Sequence, residues 1–386
     1  MGLEFNGRLL DQFLQQALLQ VSFNLNPENP SKTIVNIPDE IGSLIDALCN
    51  SVKQLKNMGE NYTAAYLATT VFQGLTDFSE SLKNEGRSIH ACNYWRNILN
   101  FVNDSEDKNN VKIHKGHPYF FLAYYYILHG DTGTGFVYAS SAIKQDEDLG
   151  ELCPELNYPH EAPIYLTTFL VDNPANRMWE LVKELRQELN IYITSFNNEL
   201  NKKFTLQDFD KKFLQNESNP DLKDLRIKFV FCFWSLVELR KKTKSQTLIN
   251  DFSKLRNLSV IFDFCLIVDK ILEANTKIGQ NGMGNNVMKV CRHLKILTRK
   301  DREKIEEIYH LKINNADPDK VLTNLLPMNL VIGEKKIPKL AICYLIAWNL
   351  RNYGGHNIKQ QKCLVQNFDD IVEILMKCII CSIELL

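Results

Sequence analysis

The stretch Leu122-Ala-Tyr-Tyr-Tyr-Ile-Leu-His-Gly130-Asp131, followed by Phe136-Val-Tyr-Ala139-Ser-Ser-Ala142-Ile143, reads as two helices joined by a short turn. Apolar residues return with the helical period in both runs. The Gly-Asp break between them is turn chemistry. Ala123, Ala139 and Ala142 are small enough for two antiparallel helices to approach closely.

The same period extends outward in both directions. Between Phe5 and Val21, Leu9, Leu10, Phe13, Leu14, Ala17, Leu18 and Val21 fall on one helical face. Segments 39–57, 61–84, 89–102, 118–129, 133–145 and 161–172 repeat the pattern, as do 177–201, 206–215, 221–245, 250–276, 285–298, 301–310, 339–352 and 366–386. The prolines fall almost entirely between these segments, where an all-α chain tolerates them. Extended character is confined to Thr33–Ile37 and Asn329–Gly333. The expected fold class is all-α, with at most a small β-hairpin. Residues 117–146 resemble a tetratricopeptide-type hairpin, with 61–102 as a degenerate neighbour. A true repeat stack needs at least three such units, so an irregular helical domain is the expected reading and a repeat stack the alternative. Three regions are expected: 1–172, helical and partly repeat-like; 173–250, long charged helices that connect or sense; and 251–386, a separate C-terminal helical domain.

Net charge is −1, from 45 Lys+Arg and 46 Asp+Glu, which argues against a polycationic nucleic-acid coat. The balance hides an asymmetry. Residues 1–250 carry 25 basic and 31 acidic side chains, whereas 251–386 carry 20 and 15. Several of the ten cysteines, including Cys49, Cys232, Cys265, Cys343 and Cys378, sit inside apolar runs and are expected to be reduced and buried. The N-terminal residues lack the pattern of a signal peptide, and no uncharged apolar run reaches about 18 residues. A cytoplasmic protein with no membrane partner is expected.

Several short motifs read as structural. Asp131-Thr-Gly133 connects two helices, which is not the strand-and-loop setting of an aspartic protease. Gly279-Gln-Asn-Gly282-Met-Gly284-Asn-Asn286 lacks the preceding strand of a dinucleotide fingerprint. His114, His117 and His129 have no accompanying carboxylate or cysteine cluster, and Cys378-Ile-Ile-Cys381 has no partner pair. No metal and no cofactor are expected.

One constellation differs. The apolar run Leu340–Leu350 leads directly into Arg351-Asn352-Tyr353-Gly354-Gly355-His356-Asn357. A Gly pair lets the backbone turn sharply, returning His356 toward Arg351. Arg is a permanent cation whose planar fork suits phosphate oxygens, and His exchanges protons near neutral pH. Together they are a minimal set for phosphodiester chemistry without a metal.

The arrangement over roughly 250–386 resembles the HEPN family of helical ribonucleases and RNA-binding domains, whose signature is Arg, four to six residues, then His. Arg351, the polar follower Asn352 and His356 match the four-residue version. The resemblance implies a HEPN-like helical bundle acting as a metal-independent endoribonuclease. Arg351, His356 and Asn352 would be its catalytic residues, and a homodimer formed through the C-terminal domain would bring two motifs to one cleft. It further implies RNA as substrate, with Lys335, Lys336, Lys339, Arg292 and Lys295 (and Arg299 and Lys300) as backbone contacts. By analogy, the N-terminal region would restrain or activate the enzyme through a protein or small-molecule activator, in a defence or toxin-like role. The alternative is a non-catalytic helical scaffold whose C-terminal domain only dimerises or binds RNA.

Overall fold

A computed structural model describes residues 37–152, 179–216, 219, 222–245, 251–275, 282–354 and 362–386. The helices expected over 5–21 and 161–172, the extended residues 33–36 and His356 lie outside them. The described chain is all-α apart from one two-stranded hairpin. Two compact units divide it, Met1–Leu166 and Thr167–Leu386. The helices of the segment 173–250 belong to the second unit together with 251–386.

The first unit contains α1 (Ile37–Asn57), α2 (Asn61–Gly74), α3 (Thr76–Asn84), α4 (Ser88–Asn109), α5 (Gly116–Leu128) and α6 (Thr132–Leu152). Helices α5 and α6 form the expected hairpin. Gly130 takes φ +85° at the turn, and the Asp131 side chain accepts a hydrogen bond from Thr134 N, so the Asp-Thr-Gly triplet starts a helix. The close approach rests on a residue the small-residue pattern did not single out. A Cβ on Gly135 would lie 2.5 Å from Ile127 Cγ1 and 3.0 Å from the Ala123 carbonyl oxygen. Segment 61–84 is two helices, not one. At the break, the Thr76 hydroxyl returns to Phe72 O and meets His117 Nε2 at 3.0 Å. His117 also packs beside Trp95 and Phe121, whose rings stack 5.4 Å apart in the core.

The second unit contains α7 (Trp179–Leu200), α8 (Leu206–Phe209) with a π turn at Asp210–Leu214, α9 (Lys223–Ser245), α10 (Asp251–Ala274), α11 (Met283–His293), α12 (Arg299–Ile308), α13 (Pro318–Leu325), α14 (Lys339–Gly354), α15 (Lys362–Gln366) and α16 (Phe368–Glu384). Strands β1 (Val331–Ile332) and β2 (Lys335–Lys336) pair antiparallel between α13 and α14. Gly333 holds φ +59° at the first turn position, a geometry that a tight two-residue hairpin favours. Helix α13 had a readable signal, since Asp317 accepts from Asp319 N ahead of Pro318 at the first helical position. Helix α16 is buried along nearly all of its length and packs against α10 and α14. Cys49, Cys232, Cys265, Cys343 and Cys378 are all buried free thiols. Among the described residues, no helix is long and apolar enough to cross a membrane.

The α5–α6 contact generates a direct test. Gly135→Val is expected to lower stability by about 1–3 kcal/mol through overpacking, seen as a lower Tm. Gly133→Ala, whose added Cβ would meet only Asp131 Oδ1 at 3.9 Å, should leave Tm nearly unchanged.

Candidate active site

Arg351 lies in the last turn of α14, a helix whose residues from Leu340 to Leu350 are all buried. Its Nε donates to Asp269 Oδ2 at 2.8 Å. Asp269 projects from α10, which packs against α14, and it is fully buried, while the Arg351 side chain stays 37% exposed. The guanidinium is thus tethered at one nitrogen. Among the described residues its two Nη groups make no other hydrogen bond.

The sequence reading passed over Asp269. It interrupts the apolar run Phe264-Cys-Leu-Ile-Val268 on the same face as Cys265 and Leu272, where a carboxylate needs a cation. Burial pushes its carboxyl above the usual carboxylate range, against the pull of Arg351. Its Oδ1 is buried without a hydrogen-bond partner among the described residues.

Two asparagines hold the end of α14 to the loop between α12 and α13. Asn349 is fully buried and donates to Ile313 O at 2.7 Å and Ala316 O at 2.9 Å. Asn352, expected to orient the Arg–His pair, gives its amide to Asn314 O at 3.1 Å. Its visible work is bracing this loop. Helix α14 ends at Gly354, the first of the two glycines, and Gly355–Gln361 lie outside the described residues. Beyond them Cys363 opens toward α13, and its thiol is pushed up to about 12 by burial and a hydrogen bond with Asp319.

The basic residues named from sequence are all exposed. Lys335 Nζ reaches Asp301 Oδ2 at 2.6 Å, joining β2 to the start of α12. Lys336 is its strand neighbour. Arg292 and Lys295 lie at the end of α11 and just beyond it, shortly before α12. Lys339 sits 3.9 Å from Glu199 Oε1, and Arg299 pairs with Glu303 along its own helix. Lys335, Lys339 and Arg299 thus answer three different carboxylates, Asp301, Glu199 and Glu303.

His114 and His117 have polar partners, and the paired cysteines are buried. His114 meets Asp146 at 2.7 Å, His117 meets Thr76, and His129 is exposed at the end of α5. Cys378 and Cys381 are buried on α16, and burial raises both thiols. Among the described residues, no group of three or more His, Cys, Asp or Glu could hold a metal ion.

Comparison with known proteins finds no matching family model, no matching curated protein and no matching solved structure. The functional reading therefore rests on the residues themselves.

The raised Asp269 carboxyl has a definite sign. The folded chain holds this proton more tightly than the unfolded chain, so the group's contribution to stability is full below about pH 4 and declines as the pH rises. Asp269→Asn, which removes the charge and keeps the size, is expected to be at least as stable as wild type near pH 7. That advantage should vanish toward about pH 4. Urea unfolding at both pH values checks it; a variant clearly less stable at neutral pH contradicts it.

Proposed function

We propose that this chain is a metal-independent endoribonuclease that works as a homodimer, with Arg351 and His356 as its catalytic residues. The observation that carries the reading is Arg351 itself. A guanidinium at the end of a buried helix is aimed through Nε by a fully buried carboxylate and stays partly exposed. It stands five residues before the only histidine of the segment 311–386. The basic balance of residues 251–386 favours a polyanionic substrate.

The chemistry follows from the groups. The RNA 2′-oxygen attacks the adjacent phosphorus, its proton passes to a base, and the P–O5′ bond breaks. The products are a 2′,3′-cyclic phosphate and a 5′-hydroxyl. His356 moves the proton, and a second His356 in the dimer protonates the departing O5′. Such transfer contributes roughly 10²–10⁴-fold. The Nη groups of Arg351 stabilise the negative charge that grows on the non-bridging oxygens, a preorganised electrostatic effect. Asp269 acts as a positioning residue by holding Nε. DNA has no 2′-hydroxyl and cannot follow this route.

A second reading has its own observation. A buried carboxylate also requires a counterion for structural reasons, so the Arg351–Asp269 pair suits a non-catalytic dimerisation or RNA-binding module as well.

One experiment separates the readings. Mixed-sequence RNA is incubated in EDTA with wild type, His356→Ala, Arg351→Ala and Arg351→Lys. The nuclease reading expects cleavage with cyclic-phosphate ends. It also expects loss of at least about a hundredfold in His356→Ala and in both Arg351 variants, because lysine lacks the planar fork. Equal cleavage by all four proteins refutes it. RNA binding that weakens with salt, without cleavage, favours the second reading.

A further inference from the structure

Between Glu273 and Asp301 the chain carries no acid and six Lys and Arg, although 46 of its 386 residues are acidic. Much of this charge falls at the turn between α11 and α12, where Arg292, His293, Lys295, Arg299 and Lys300 are all exposed. Part of it has a plain structural account. Arg292 and His293 stand in the last turn of α11 and suit the negative end of its dipole. Arg299 pairs with Glu303 at 3.1 Å, one turn along α12.

Lys295 and Lys300 have no such account. Lys295 takes φ +56° just past the end of α11. Its N–H donates to Arg292 O at 3.0 Å, and that of Ile296 donates to Cys291 O at 2.9 Å. Glycine serves this closing turn best, because a Cβ is strained in the left-handed region. Lys300 is the second residue of α12, behind the Thr298 cap, where the helix dipole favours an acid and disfavours a cation. Among the described residues neither ammonium has a hydrogen-bond or ion-pair partner. Asp301, the acid next to them, is taken by the Thr298 hydroxyl at 2.8 Å and by Lys335 Nζ at 2.6 Å, arriving from the hairpin. Two lysines are thus held on one turn, against local preference, with their charge uncompensated.

We propose that this turn is a docking surface for the RNA phosphate backbone, with Lys295 and Lys300 as its contacts. The proposal rests on RNA as the substrate of Arg351 and His356, and it adds where the strand outside the scissile phosphate is held. Charge selects a polyanion, and the rest of the turn selects among polyanions. No large apolar side chain is exposed between Met283 and Lys300. A membrane-surface helix needs an apolar face, and a protein interface needs apolar or aromatic anchors. Lysine meets phosphate as a point charge and reads no base there, so the surface adds affinity without sequence preference. Lys335 and Arg299, whose charges are already answered, contribute less.

The test is fluorescence anisotropy of a labelled, mixed-sequence 2′-O-methyl RNA, titrated with the full chain over a series of KCl concentrations. This probe has no free 2′-hydroxyl and stays intact. Saturable binding that weakens with salt is expected. Lys295→Gly and Lys300→Glu should each weaken it by about threefold or more, with a salt slope flatter by about 0.7 per lost phosphate contact. Both substitutions install the locally preferred residue, so Tm should hold or rise and lost binding is not lost folding. Lys53→Gln, which removes an exposed lysine from the first unit, should bind as wild type does. No saturable binding by wild type, undiminished binding by the two variants, or an equal loss in Lys53→Gln would overturn the proposal. So would a larger effect of the two variants on binding to phosphatidylserine vesicles or polyglutamate. Cleavage of unmodified RNA is scored separately. Binding that depends on the turn without any cleavage refutes the nuclease reading alone, and cleavage with undiminished binding by both variants refutes the docking surface alone.

Discussion

Helix α16 imposes the constraint on which the second unit depends. From Ile371 to Ile383 every residue except Glu373 is buried, so the chain must enclose this helix on all sides. The enclosure is not wholly apolar. Lys377 is buried within it and is answered by Glu199 and by Glu373 at 2.9 Å, while Ser195 donates to Glu373 at 2.7 Å. A buried ammonium without such partners would be strongly destabilising. These contacts bring α7 against α16, although the sequence reading had assigned α7 to a separate connecting region. The α10 and α14 helices also flank α16, and where they meet each other Asp269 faces Arg351.

The Asp269–Arg351 pair illustrates a general trade. Burial disfavours its ionised carboxylate more than the guanidinium favours it, so the pair is poor stabilising chemistry. What it supplies is direction, since one tethered nitrogen leaves the rest of the fork partly exposed. A hydrophobic substitute would pack the helices and aim nothing. Proteins accept such local losses where geometry has to be held for function.

Much of the fold was legible because helical periodicity is local. The α5–α6 hairpin, the buried cysteines and the small hairpin near residue 331 all follow from patterns read over a few turns. The misses share one cause. The break at Leu75 is accompanied by Thr76 meeting His117, which lies 41 residues away, and periodicity does not see distant partners. Helix α13 is too short to show a period, and its Asp-Pro start was the readable cue. In the candidate site, Arg351 was visible as a cation ending an apolar run. Asp269 stood out only as an acid on a buried stripe, 82 positions before its partner.

The first unit repeats the lesson in a different chemistry. His114 and His117 look alike in sequence, three positions apart, yet one is set against Asp146 and the other is packed among aromatic rings. The sequence by itself determined the all-α class, because side-chain period and proline placement act within single elements. It also determined the position of the Arg-x4-His spacing and the contrast between an acidic N-terminal and a basic C-terminal part. Only the tertiary structure decided which carboxylate holds Arg351, that Lys335 answers to Asp301 and Lys339 to Glu199, and that Lys56, Gln145 and His114 line one cavity. Those outcomes depend on contacts between residues far apart in the chain, which are settled when the apolar helices pack and the charges they carry must find partners.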